Sequence, residues 1–132
     1  MFKESKAFAS FSVDDLAAAK EFYGGTLGLE VIEVSQMHVL DVRLAGGGRI
    51  VIYPKPDHAP ATFTVLNFQV ADIDETVKKL KDKNVPFESY GGEISTDENN
   101  VSRGADSGRG PNIAWFRDPA GNILSVIEEE NH

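Results

Sequence analysis

The chain contains no cysteine. Disulfides, thiolate metal sites, iron–sulfur clusters and cysteine nucleophiles are excluded together. Long apolar runs are also absent, and none approaches the ~20 residues that a membrane-spanning helix needs. Basic residues are few, 13 against 21 acidic in 132, for a formal charge of -8. Phosphate backbones and anionic lipid surfaces require a basic footprint, so neither nucleic acid nor membrane is an expected partner. Residues 1–6 hold no apolar stretch like a secretory signal, and a cytoplasmic protein is expected. What is present is ordinary for a globular protein: 41% hydrophobic residues, 26% charged residues and no low-complexity tract.

Residues 6–13 alternate, with Ala7, Ala9, Phe11 and Val13 on one side and Phe8, Ser10 and Ser12 on the other. That period of two predicts a strand with one face on a core. Asp14 and Asp15 supply a helix cap and a negative first turn. Leu16, Ala19, Phe22, Tyr23 and Leu27 follow at helical spacing, with Gly24-Gly25 as the expected breaker. Residues 29–34, 38–44 and 49–53 read as three further strands. The second half repeats this βαβββ order. Phe11 to Leu16 lines up with Phe68 to Ile73 at an offset of 57, and Gly48 to Ile52 with Gly121 to Ser125 at an offset of 73. The second copy therefore carries 16 more residues, which fall in a polar, Gly-rich stretch at 91–111. Its helix begins at Asp72 with Glu75 placed for a capping box, and residues 85–90, 112–117 and 122–128 read as its strands. Module 1 spans about residues 6–53, a proline-rich linker 54–61, and module 2 about 62–128: one α+β domain of two tandem βαβββ modules.

Val13-Asp14-Asp15-Leu16 leading to Phe22-Tyr23 and Leu27-Gly28-Leu29-Glu30-Val31, with Phe116-Arg117-Asp118-Pro119-Ala120-Gly121-Asn122 near the end, resembles the vicinal oxygen chelate superfamily. That group includes glyoxalase I, extradiol dioxygenases, fosfomycin-resistance enzymes and bleomycin-resistance proteins. The resemblance implies two modules whose sheets curl around a cleft, with the helices on the outer side, and a homodimer. In metal-dependent members it implies four inward His, Gln or Glu ligands. By the repeat registers those positions carry Phe8, Ile52, Val65 and Ser125 here, and a shift of one residue supplies no better set. Three of the four have no lone pair, and a neutral Ser hydroxyl is a poor ligand. The three histidines, His38, His58 and His132, fall elsewhere. No metal and no other cofactor is expected.

Alternation would place Phe8, Ser10, Ser12, Val65, Asn67, Gln69, Ile123 and Ser125 inward, joined by Trp115 and Arg117 because Phe116 suits the helix side. Phe8 and Trp115 would stack on a small planar or alicyclic molecule, while Ser10, Asn67, Gln69 and Ser125 would orient it. Trp115 reads equally as an ordinary core aromatic. The 91–111 stretch reads either as a lid, with Arg103 or Arg109 reaching an anionic group, or as a disordered segment. Gly46-Gly47-Gly48 lacks the strand-to-helix context of a phosphate loop, and there is no nucleophile elbow. The expected function is sequestration of a small organic molecule without metal. The alternative is a metal-independent lyase or isomerase using Glu88, His58 or Tyr53 as proton carrier; for Glu88 an edge-strand ion pair, and for His58 an exposed loop position, are the competing readings. A protein-interaction module is a third.

Overall fold

The structure is a computed structural model that describes residues 1–108 and 110–129. The chain divides into two compact units, Met1–Pro60 and the part from Ala61 onward. Each contains one open four-stranded sheet and is described by itself.

In the first unit the sheet order is β1-β4-β3-β2, with β1 at Ala9–Val13, β2 at Glu30–Val34, β3 at Val39–Arg43 and β4 at Arg49–Pro54. β1 runs parallel to β4, and the other pairs are antiparallel. Ladder partners share a face, so Phe11 and Val13 lie with Ile50, Ile52, Leu40 and Val42. That face meets Leu16 and Ala19 of α1 (Leu16–Lys20) and forms the core. Asp15 caps α1 by accepting from the Ala18 N–H at 3.0 Å.

Gly24-Gly25 does not end this helix. The chain widens into a π-helix over Glu21–Thr26, with the Leu27 N–H donating to the Phe22 carbonyl at 2.9 Å. The wider turn buries the adjacent rings of Phe22 and Tyr23, 5.1 Å apart. Gly28, at φ +75, makes the actual exit.

In the second unit the order is β5-β8-β7-β6, with β5 at Thr64–Val70, β6 at Ser102–Arg103, β7 at Asn112–Arg117 and β8 at Ile123–Glu128. Leu66, Phe68, Leu124, Val126, Ala114 and Phe116 share the face that carries α2 (Ile73–Asp82). Ile73, Val77 and Leu80 are the buried stripe of α2. Asp72 accepts from the Glu75 N–H at 3.1 Å. The Glu75 carboxylate does not close a capping box; it pairs with Lys79 one turn on. The Glu128 carboxylate takes up the Ile73 N–H at 3.0 Å, tying the helix start to β8.

Residues 85–90 form no strand. Pro86 has no N–H to give a ladder, and the backbone of the segment makes one isolated bridge to β7, Phe87 to Phe116. Beyond it, side chains take over the backbone groups. Asn100 Nδ2 donates to the Glu88 carbonyl, and the Tyr90 N–H donates to Thr96 Oγ1. The fourth strand is β6 instead, drawn from the inserted stretch and paired at Ser102 with Ile113. That stretch also holds a 3-10 turn, Gly92–Ile94, and the short α3, Gly104–Ser107.

The Asp118 turn joins β7 to β8. Asp118 is buried and accepts from the N–H groups of Ala120 and Asn122 and from Asn122 Nδ2, at 2.8–3.0 Å. Gly121 takes φ +87. The turn sets the register that pairs Trp115 with Ser125.

Candidate functional site

Each sheet has a second face, opposite its helix. On the first sheet it carries Ser10, Ser12, Val51, Tyr53, Asp41, Arg43 and Arg49. On the second it carries Asn67, Gln69, Ser125, Trp115, Ile113 and Arg117. These two faces hold most of the residues that alternation predicted to point inward.

One register differs. Ser10 pairs with Val51, and its counterpart Asn67 pairs with Ser125. Val51, not Ile52, is therefore the structural equivalent of Ser125, an offset of 74 rather than 73. Ile52 is 0% exposed on the helix side. The one-residue slip moves it from the predicted face into the core. Val65 is the extra residue of a bulge in β5, between the pairs Thr64–Ile123 and Leu66–Leu124. With Val51 substituted for Ile52, the four positions implied for metal ligands still offer two valines, a phenylalanine and one serine hydroxyl. That donor set does not fit a divalent cation. Among the described residues no group of three or more His, Asp or Glu side chains could hold a metal ion. His132 lies outside the described residues.

The second unit builds a cavity of about 540 Å³ between the inserted stretch and the open end of its sheet. Ile113 and Trp115 of β7 and Ser102 of β6 form part of its lining, and Ile94, Thr96 and Val101 wall it. Trp115 is held edge-on by Tyr90, ring centres 5.2 Å apart. Next to Trp115 on the same face, Ser125 Oγ donates to Asn67 Oδ1. Ser125 is fully buried, while Asn67 and Gln69 are exposed. A second cavity, about 610 Å³, lies on the helix side of the first unit beside Lys20, Glu33 and His38, where the Lys20–Glu33 ion pair crosses from α1 to β2.

Arg103 faces the helix side and is engaged twice. Its Nη2 reaches Asp74 Oδ1 at 2.6 Å, and its Nε reaches Asp97 Oδ2 at 2.9 Å. Asp74 and then Asp97 push the guanidinium above its already high ordinary pKa. Arg103 also borders the cavity, and its two ion pairs clamp that part of the wall to α2. Arg109 lies outside the described residues. For Asp97, burial disfavours the charge, but hydrogen bonds from Arg103 and from the Val101 and Asn99 N–H groups outweigh it and hold the carboxyl below its ordinary 3.8. A depressed carboxyl stabilises the fold above its unfolded pKa, and that contribution fades as pH falls below 3.8 through the folded value. The protection of amides across residues 95–103, measured against their intrinsic exchange rates, is expected to fall below pH 4 in the native chain. In Asp97→Asn that protection is expected to be low at neutral pH as well.

Gly104 closes the other side of the wall. A Cβ there would stand 2.8 Å from the Pro111 carbonyl oxygen and 2.9 Å from that of Gly110. Both are backbone atoms that cannot swing aside. Gly104→Ala is expected to cost ~1–3 kcal/mol by overpacking and to open residues 91–111 to limited proteolysis.

The three candidate proton carriers fare differently. Glu88 is half-buried and pairs with Arg117 Nε. An ion-paired carboxylate replaces the isolated one that base chemistry would need. Tyr53 is exposed on the open face of β4, directly across from Ser12. His58 is not a free loop residue; its Nδ1 lies 2.6 Å from Ser12 Oγ. Phe8, expected to stack on a ligand, is more than half-exposed and carries the Arg49 guanidinium 4.1 Å above its ring. Sequence reasoning missed the Asp41 cluster. Asp41 is 8% exposed and accepts from both Arg43 and Arg49. Its charge in an alternating strand was the available signal.

A family model described as the Glyoxalase/Bleomycin resistance protein/Dioxygenase superfamily matches residues 7–126. Among curated proteins none matches. Solved structures similar to the chain include a superfamily member from Sphaerobacter thermophilus, 24% identical, with 94% of this chain and 98% of that one covered at a TM-score of 0.67. TnmS3, an antibiotic binding protein from a Streptomyces species, is 22% identical over 96% and 98% of the two chains, with a TM-score of 0.66. The fosfomycin resistance protein FosX from Listeria monocytogenes is 16% identical over 96% and 94%, with a TM-score of 0.69. With two four-stranded sheets in the βαβββ order and a match across nearly its whole length, the chain belongs to the Glyoxalase/Bleomycin resistance protein/Dioxygenase superfamily.

Proposed function

We propose that the protein binds a small planar or alicyclic organic molecule without a metal and holds it without turnover. The observation that carries this reading is the 540 Å³ cavity with Trp115 in its lining, a volume that suits a drug-sized ligand. The hydrocarbon side chains at the implied ligand positions support the absence of metal. The antibiotic-binding and fosfomycin-resistance proteins of the same fold support the choice of antibiotic-like molecules as the first probes. Asn67 and Gln69 would orient the ligand beside Trp115, with the buried Ser125 hydroxyl holding the Asn67 amide in place. Ser10, on the open face of the first unit, and Phe8, just before β1, would be ligand contacts of that unit by itself. We take the protein to act as a cytoplasmic homodimer, the dimer being testable by native mass.

Trp115 is the single tryptophan, so its fluorescence reports the cavity alone. Titration with a panel of polycyclic aromatic antibiotics is expected to give saturable quenching, unchanged by EDTA and without a product by mass spectrometry. Quenching that disappears with EDTA, or no saturable change across the panel, contradicts the reading.

A further inference from the structure

The first unit holds a pair of side chains that the binding reading does not use. Ser12, near the end of β1, and His58, in the segment after β4, are 46 residues apart, yet Ser12 Oγ and His58 Nδ1 meet at 2.6 Å. The segment that carries His58 is pinned. The Lys55 N–H donates to the Val13 carbonyl at 2.9 Å, the His58 N–H donates to the Lys55 carbonyl at 3.0 Å, and Lys55 pairs with Asp57. Pro54, Pro56 and Pro60 restrict what freedom is left. The imidazole is thus held beside the hydroxyl by one backbone hydrogen bond to β1 and one within its own segment. Both residues are half-buried. Ser12 stands on the open face of the sheet with the Tyr53 phenol as its cross-strand neighbour.

We propose that Ser12 and His58 form a metal-independent nucleophile–base pair that accepts acyl groups from small carboxylic esters. The separation lies within the reach that an activated serine requires. With Nδ1 unprotonated, the Ser12 hydroxyl donates to it. Nδ1 takes the proton as Oγ bonds to the ester carbonyl carbon, and the carbonyl electrons move onto its oxygen. Tyr53, a phenol on the same face, would donate to that oxygen. Collapse breaks the bond to the leaving alkoxide, which receives the proton from His58. Water then adds to the acyl-serine by the same sequence, releasing the carboxylic acid and restoring Ser12. This goes beyond ligand binding and lies wholly in the first unit, so it stands or falls separately from the Trp115 cavity.

The test uses the full chain with p-nitrophenyl acetate and with a fluorophosphonate. The expected result is a one-equivalent burst of p-nitrophenol and a single fluorophosphonate adduct that peptide mapping places on Ser12. Ser12→Ala removes the adduct. His58→Ala slows both reactions by about 10²–10⁴-fold, the span of a positioned base, and free imidazole restores part of the rate. His58→Gln, which keeps a polar side chain without a base, is equally slow while its melting transition stays near that of the parent. No adduct on Ser12, or equal rates with and without His58, overturns the proposal.

Discussion

Replacing Trp115 with alanine is expected to weaken binding of a planar organic ligand by roughly 10–100-fold, about 1.4–2.7 kcal/mol. Trp115 contributes in two ways. Its ring lines the cavity, and its edge contact with Tyr90 helps to hold the segment that walls it. Phenylalanine keeps an aromatic face with less area, so Trp115→Phe is expected to retain most of the affinity. Because alanine also removes the fluorophore, the comparison needs calorimetry or native mass spectrometry. Equal affinity in all three proteins would place the ligand elsewhere.

The largest loss of stability is expected at Asp118. Its buried carboxylate accepts from two backbone N–H groups and from the Asn122 amide. Asp118→Ala leaves those donors without this acceptor in a buried turn, at a cost of ~3–4 kcal/mol. For a chain of this size that lowers the melting temperature by about 10–15 °C. The same turn fixes which residue of β8 opposes Trp115, so ligand affinity is expected to fall with stability. Asp118→Asn keeps one carbonyl oxygen to accept and should lose about half as much. A melting temperature within 2–3 °C of the parent for Asp118→Ala, roughly what a neutral surface change produces, would show that the turn holds its register without the carboxylate.

Much of this fold was legible because its signals are local. Alternation in Ala9–Val13, the apolar run of Ile123–Glu128 and the helical stripe of Ile73, Val77 and Leu80 are written in neighbouring residues. The failures come from tertiary competition. Residues 85–90 have strand-like composition, but Pro86 and the side chains of Asn100 and Thr96 take the backbone elsewhere, and Ser102–Arg103 occupies the rest of the β7 edge. Gly24-Gly25 widened the helix instead of breaking it, since burial of Phe22 and Tyr23 outweighs glycine's freedom.

The site was harder to read. Trp115, Ser125 and Asn67 fall on one face as alternation required, but Ile52 was misplaced by one residue. Aligning two hairpin glycines does not register the strand interiors that follow them. Arg103 was read from its position in a long polar stretch, where nothing local reveals that Asp74, 29 residues earlier, is waiting on α2. The contact of Ser12 with His58 spans 46 residues, and no spacing rule reaches that far.

In the proposed function the protein binds its ligand with its own side chains and no metal. Native mass spectrometry of the purified chain tests it most directly, after exposure to nickel, zinc, iron and manganese, with and without a ligand found by the fluorescence screen. Ligand-bound species are expected whose masses include no metal and whose abundance is the same in EDTA. A stoichiometric metal that travels with the ligand and is stripped with it by EDTA would contradict metal-free binding.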